Sequence, residues 1–136
     1  MNPLLVALGS AAGGVTRWLL GGLIQRRFGA APAIPGGFPF PVGTLLVNVS
    51  GSFLLGALAV IAARQAGDST ATRLLLMVGF CGGYTTFSTF SLDTVALLEQ
   101  GSAGLAALNV LASIALAFAG TFAGMLLVRA LLARAA

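Results

Sequence analysis

The chain has 136 residues, of which 58% are hydrophobic and 7% are charged, whereas a soluble domain has roughly 25% charged residues. This composition predicts an integral membrane protein. The net charge of +4 comes from seven scattered arginines with no lysine, which differs from the clustered basic face of a nucleic-acid-binding protein. The absence of histidine and the single Cys81 exclude disulfide frameworks, clustered Cys/His metal sites and catalysis that needs an imidazole.

Four hydrophobic segments follow one another along the chain. A helix needs about 20 apolar residues to cross the hydrocarbon core, so four spans use almost the whole length, and we expect residues 1–136 to form a single transmembrane domain. Residues 29–41 are rich in Gly and Pro and predict a loop, residues 65–71 a polar connection, and residues 99–101 a turn. The spans are predicted at 4–24, 42–63, 73–98 and 104–132.

The ends of the first segment bear on targeting and orientation. No basic region precedes it, so we do not expect a removable signal peptide. Four spans place four arginines on one side of the membrane and two on the other, which is a weak orientation signal. Either the side with four arginines is cytoplasmic, or the chain inserts both ways and pairs with itself antiparallel. The four-arginine side carries Arg64, Arg73, Arg129 and Arg134, and the other side carries Arg26 and Arg27.

The third segment contains hydroxyl residues in mid-membrane, directly after the glycine pair Gly82 and Gly83. Polar groups and non-helical backbone at this depth are tolerated only inside protein or beside water. We expect the helix to break near the glycine pair. Carbonyls that end the first half would suit a cation such as Na⁺, and N–H groups that begin the second half would suit an anion. The hydroxyl residues are Thr85, Thr86, Ser88 and Thr89.

Two phenylalanines accompany these hydroxyls. Phe87 and Phe90 are three residues apart, so they share a face if the second half is helical. One interpretation is simple packing against neighbouring helices. The other is an anion pathway, because the positive edge of an aromatic ring attracts an anion without trapping it as a fixed cation would.

Polar stripes also run along the second and fourth segments. Asn48 is the informative member of the first stripe: its amide either bonds to a neighbouring helix or donates to a pathway. For the second stripe we favour hydrogen bonds between helices. The stripes comprise Thr44, Asn48 and Ser52, and Asn109, Ser113 and Thr121.

Two charged residues lie within spans, and an intramembrane arginine is by default a functional candidate. Arg17 either snorkels or faces water, and Asp93 either pairs with Arg17 or solvates an entrance. Small-residue ridges at Gly9 and Gly13, and at 120 and 124, predict close helix packing.

The motifs GGVTRW from Gly13, PVGTLLVNVSGSFLLG from Pro41 and GFCGGYTTFSTFS from Gly79 resemble the Fluc/CrcB family of microbial fluoride channels. The resemblance covers three of the four segments in order. It implies an all-α protein with four transmembrane helices and a broken third helix. It also implies an antiparallel, dual-topology homodimer in the inner (plasma) membrane, with two pores and a central structural Na⁺, that exports fluoride passively and is not an enzyme.

The resemblance also assigns individual residues. Phe87 and Phe90 are similar to the pore phenylalanines of the family and Asn48 to its polar pore residue. Thr44 and Ser88 would neighbour the fluoride path.

Other assignments concern the ends of the pathway and the metal. Ser113 matches a pore-lining serine, Arg17 would lie near an aqueous vestibule, and the backbone carbonyls of Gly82 and Thr85 would hold Na⁺. Asp93 and Asn109 depart from the family, which usually has glutamate at the first position and in some members tyrosine at the second.

Three rival functions are weighed against this one. A small multidrug transporter would be expected to carry an acid in the first segment, which has only Arg17. A purely structural subunit would not need the hydroxyl run at 85–91. An intramembrane hydrolase lacks histidine and has only Asp68, Asp93 and Glu99 as acids.

Overall fold

The computed structural model describes residues 2–29, 37–64 and 70–135, and all four predicted spans are helices in it. The four helices are α1 (Pro3–Phe28), α2 (Val42–Arg64), α3 (Thr70–Glu99) and α4 (Ala103–Arg134). Each is long and apolar enough to cross a membrane. Each also extends beyond its predicted span, because hydropathy marks only the part of a helix that lies in hydrocarbon.

The ends of the helices follow local rules. Asn2 caps α1 by accepting the N–H of Leu4 on its side chain, and Pro3 occupies the first helical position, where its missing N–H costs nothing. Between α3 and α4, Gly101 adopts a positive φ of 80°, a conformation that favours glycine. Its N–H and that of Ser102 close the end of α3 by donating to Leu98 and Leu97 carbonyls. Of the predicted loops, residues 30–36 and 65–69 lie outside the described residues.

Two close helix pairs form the body of the chain, and glycines make both pairs possible. Gly9 and Gly13 of α1 lie against the backbone of α3, where an added Cβ would collide with main-chain atoms of that helix. On the other side, α2 packs along α4, and a Cβ on Gly56 or Gly124 would collide with the facing backbone. The close packing predicted for the glycine ridges is therefore confirmed.

The third helix is not uniform. Its first half consists of a turn, a π-helix over Arg73–Cys81 and a further turn over Gly82–Tyr84. The backbone then leaves the helix, and a regular α-helix resumes over Phe87–Glu99. Helices with π turns are rare and often lie at functional sites. The predicted break is confirmed, but it falls at Thr85 and Thr86 rather than at Gly82 and Gly83.

Few side chains are enclosed within a single chain, since the spans keep most of their surface exposed. Large apolar side chains such as Trp18, Phe118 and Phe122 are among those exposed. An apolar surface of this extent fits lipid or another protein surface. The protein is therefore a multi-pass membrane protein.

Candidate functional site

The candidate site is built around the interruption of α3. Thr85 and Thr86 have extended backbones, with φ and ψ of −87° and 160° for Thr85 and −153° and 119° for Thr86. The N–H of Thr85 still donates to the Cys81 carbonyl, and so does its hydroxyl, at 2.9 Å and 3.0 Å. Because the next two residues are extended, the carbonyls of the last helical turn have no N–H groups of a following turn to bond.

Asn48 explains why the break lies three residues beyond the glycine pair. Its Oδ1 accepts the N–H of Thr86 at 2.8 Å, and its Nδ2 donates to the Thr86 carbonyl at 3.0 Å. The Thr86 N–H would otherwise continue the helix by donating to the Gly82 carbonyl. Because the amide satisfies both main-chain groups of one residue, extended backbone becomes tolerable in mid-membrane. This confirms an interhelical role for Asn48, while one N–H of its amide remains for another acceptor.

Close approach of α2 to the break depends on Gly51. A Cβ there would collide with the Thr85 side chain and press on the ring of Tyr84. Tyr84 is buried, stacks on Phe80 at 5.7 Å between ring centroids, and has its hydroxyl 2.9 Å from Ser50 Oγ. The ring therefore locks the end of the first half of α3 onto α2.

Hydroxyls surround the start of the second half of α3. Thr86 Oγ1 accepts the N–H of Thr89 at 3.2 Å, which caps the helix, and it donates to Thr89 Oγ1 at 3.0 Å. Ser88 Oγ lies 3.3 Å from Thr86 Oγ1. A helix N-terminus with positive dipole character and nearby hydroxyl donors is a favourable environment for an anion.

A cavity of about 590 Å³ opens between α1, α2 and α3. We call it the polar cavity; its lining includes Arg17, Gln25, Thr44, Thr86, Thr89 and Asp93. Arg17 Nη1 donates to the Thr85 carbonyl at 3.3 Å, and Asp93 Oδ2 accepts the Thr44 hydroxyl at 2.7 Å. Of the two possibilities for Asp93, pairing with Arg17 is wrong, because its described bond is to Thr44 at the wall of this cavity. Arg17 faces this cavity instead of snorkelling to a helix end.

A second cavity, of about 340 Å³, lies on the other side of the break. We call it the phenylalanine cavity; its lining includes Asn48, Ser52, Thr86, Phe87, Phe90 and Ser113. None of the described residues that line it is charged. Ser113 Oγ is buried there without a hydrogen-bond partner among the described atoms. A buried hydroxyl without a partner costs free energy, so this Oγ is a candidate donor to a bound group or to a second subunit.

The two phenylalanines lie as their spacing predicts. Their ring centroids are 5.4 Å apart and the ring planes are tilted by 47°, so the rings share one face of the helix. Phe90 is partly enclosed, but Phe87 is 79% exposed. An aromatic side chain packed only for stability would be buried, so the exposed ring faces either lipid or a partner.

Of the remaining candidate residues, some line a cavity and others do not. Thr44 and Arg17 lie in the polar cavity, whereas Ser88 is exposed and lines neither cavity. Gly82 is exposed, and an added Cβ there would meet no atom within 4 Å. Gly82 begins the last helical turn of the first half of α3, which ends just before Thr85.

Several contributing residues were not singled out from sequence. The hydroxyl run alone does not show that Thr86 caps the second half of α3, although threonine is a preferred N-cap residue. No local pattern singles out Gln25, whose Nε2 donates to the Phe40 carbonyl at 3.0 Å and whose Oε1 accepts the Gly43 N–H at 2.9 Å. It thereby fixes the start of α2 along the edge of the polar cavity.

Asn109 behaves as expected for the fourth segment. It is 1% exposed and donates to Thr94 Oγ1 at 2.9 Å, joining α4 to the second half of α3. Thr121, from the same stripe, instead donates to the carbonyl of Ala117 in its own helix at 3.1 Å. The prediction of interhelical bonding is thus confirmed for Asn109 and wrong for Thr121.

Comparison with known proteins identifies the family. Residues 4–125 match the family described as CrcB-like protein, Camphor Resistance (CrcB). A protein of Rhodopseudomonas palustris named fluoride-specific ion channel FluC is 47% identical over 131 residues, which cover 96% of this chain and 99% of the relative. A protein of Coxiella burnetii with the same name is 46% identical over 132 residues, covering 96% and 100%. These relatives are named as channels and not as enzymes, and the chain belongs to the CrcB-like family.

Proposed function

We propose that the protein is a fluoride-selective channel that exports fluoride passively from the cytoplasm and so lowers its toxicity. Fluoride enters cells as HF and dissociates inside, so a selective pore lets the anion leave down its gradient without covalent chemistry. The family supports this function, since the relatives carry the name of a fluoride-specific channel.

The phenylalanine cavity is the observation that carries the proposal. It combines the amide of Asn48, the rings of Phe87 and Phe90, and a buried Ser113 hydroxyl that has no partner among the described atoms. Fluoride is small and strongly hydrated, so a pore must offer donors in place of water while remaining weak enough for release. Hydroxyl, amide and ring-edge groups offer such contacts without a fixed positive charge.

Entry from one side would use the polar cavity. Arg17 supplies positive charge at its wall, and the hydroxyls of Thr44 and Thr89 supply donors. A charged, water-filled mouth raises the local concentration of an anion before it is dehydrated. Ser88, which is exposed beside the break, would complete the path where a second subunit covers it.

A second subunit follows from the exposed groups around the break. Ser88 and Thr89 are exposed, Phe87 is 79% exposed, and the Gly82 backbone is open. These polar groups would be costly against lipid and favour burial against another copy. The weak arginine bias agrees with insertion in both orientations, and we propose an antiparallel, dual-topology homodimer in the plasma membrane with two pores formed from both subunits.

We further propose that backbone carbonyls at the break hold a structural Na⁺. The N–H that would pair with the Gly82 carbonyl is bonded to Asn48 instead, and the Thr85 carbonyl, which accepts from Arg17, retains a second lone pair. Unwound carbonyls at half-helix ends are typical Na⁺ ligands. Carbonyls of Gly82 and Thr85 from two subunits would hold the ion, which would neutralise two helix C-termini at the dimer centre.

Growth of a bacterial strain without its own fluoride exporter tests the function. Expression of the chain should restore growth in fluoride medium, whereas expression of a folded variant with Phe90→Ile should not. Equal sensitivity with and without the folded wild-type chain would contradict the proposal.

Labelling of intact cells tests the topology separately. The variant to be labelled combines Cys81→Ser, which removes the natural thiol, with Ser102→Cys. Ser102 lies in the turn between α3 and α4. An impermeant maleimide should label roughly half of the molecules if both orientations are inserted, and nearly all or nearly none if one orientation is strongly favoured.

A further inference from the structure

Thr86 occupies a position that neither the sequence motifs nor the family relationship assigned. Among the residues that the structure describes, it alone lines both the polar cavity and the phenylalanine cavity. The residue is buried, at 8% exposed, and its place in both linings puts it between the two spaces.

The main chain of Thr86 is held while its hydroxyl retains a choice of partners. Asn48 binds both its N–H and its carbonyl, which fixes the backbone between the cavities. The hydroxyl has one hydrogen, and two acceptors are within reach: Thr89 Oγ1 at 3.0 Å and Ser88 Oγ at 3.3 Å. Rotation of a hydroxyl hydrogen between acceptors needs no movement of heavy atoms.

We propose that the Thr86 hydroxyl is the point at which fluoride passes from the polar cavity into the phenylalanine cavity, and that its bulk excludes larger halides there. The inference rests on the proposed channel function and adds a specificity-determining residue to it. In passing, fluoride accepts the hydrogen that Thr86 otherwise donates to Thr89. The anion then reaches Asn48 and the rings on the far side with part of its hydration already replaced.

Three substitutions separate the hydroxyl from the shape of the side chain. Thr86→Val keeps the shape and removes the donor, and Thr86→Ser keeps the donor and the helix cap. Thr86→Gly widens the passage, and glycine is tolerated at helix N-caps. Thr121→Val is the matched control, because the Thr121 hydroxyl bonds within α4 and lies outside both cavities.

The experiment measures fluoride and chloride efflux from liposomes that contain each purified variant, after size-exclusion chromatography has shown folded protein. Thr86→Val should slow fluoride efflux by about tenfold or more, which corresponds to about 1.4 kcal/mol on the barrier. Thr86→Ser and Thr121→Val should stay within about threefold of wild type. Thr86→Gly also lacks the donor and should slow fluoride efflux as Thr86→Val does, but its wider passage should raise chloride efflux by about tenfold.

Several results would overturn the inference. Fluoride efflux from folded Thr86→Val within about threefold of wild type would do so, as would an equal loss in Thr86→Ser. If Thr86→Val does not fold, Thr86→Gly decides, and chloride efflux unchanged from wild type excludes Thr86 as the size barrier. If wild type and Thr86→Val both release fluoride at the normal rate, the Thr86 inference fails but the channel function stands. If folded wild type releases no fluoride, the channel function and the Thr86 inference both fail.

Discussion

Replacing Asn48 by leucine tests the account of the helix break most sharply. Leucine also branches at Cγ but cannot pair with Thr86, so the N–H and the carbonyl of that residue both lose their partner. Hydrogen bonds between membrane helices average about 0.6 kcal/mol each, and a buried group left unsatisfied costs about 1–3 kcal/mol. We therefore expect Asn48→Leu to lower the free energy of unfolding by about 1–3 kcal/mol.

Asn109→Leu is the matched comparison. Asn109 is more deeply buried but makes a single described bond, to the hydroxyl of Thr94, and that hydroxyl donates in turn to the Phe90 carbonyl at 2.8 Å. Its loss leaves no main-chain group unpaired, so the cost should be about half that of Asn48→Leu.

Denaturant unfolding in detergent, followed by circular dichroism, measures both variants under one condition. Asn48→Leu should also speed hydrogen exchange at the start of the second half of α3, where the extended backbone loses its clamp. Equal destabilisation by the two variants, or a larger effect at Asn109, would refute the idea that one amide maintains the break.

Three further predictions concern packing, the loop and the rings. Gly13→Ala should lower the unfolding temperature because its Cβ would collide with α3, whereas Gly14→Ala, with nothing within 4 Å, should leave it equal or higher; similar shifts would contradict the close packing. Gln25→Leu should speed proteolysis after Phe38 by freeing the start of α2, and an unchanged cleavage rate would count against that clamp. Phe87→Ile and Phe90→Ile should depress fluoride efflux with the dimer intact, and unchanged efflux in both would exclude their assigned role.

Local patterns predict much of this fold. Four apolar runs of sufficient length yield four helices, because helices satisfy their backbone hydrogen bonds internally in lipid. The spacing of Phe87 and Phe90 places both rings on one face, since residues three apart are neighbours on a helix. The glycine ridges likewise predict where helices approach most closely.

Contacts between distant residues explain what local patterns miss. Gly82 and Gly83 suggest a break by their own flexibility, yet Gly83 serves to pack against Ser10 of α1. The break lies instead where Asn48 meets Thr86, 38 positions away in the sequence. Nothing in the composition of α3 shows which residue that amide reaches.

The partners of the two intramembrane charged residues also cannot be predicted from local sequence. Arg17 and Asp93 are the obvious partners by charge, but Arg17 donates to the Thr85 carbonyl and Asp93 accepts from Thr44. Each partner belongs to a helix whose rotation is set by glycine packing elsewhere. The role of Thr86 between two cavities is also visible only once α1, α2 and α4 surround it.

Fluoride efflux from liposomes reconstituted with the purified wild-type chain, read with a fluoride electrode beside a matched chloride assay, tests the central claim most directly. The account predicts rapid loss of fluoride with little loss of chloride, because the donors and ring edges of the pathway suit a small dehydrated anion. Absence of fluoride efflux from well-folded protein, or equal efflux of both halides, would contradict it.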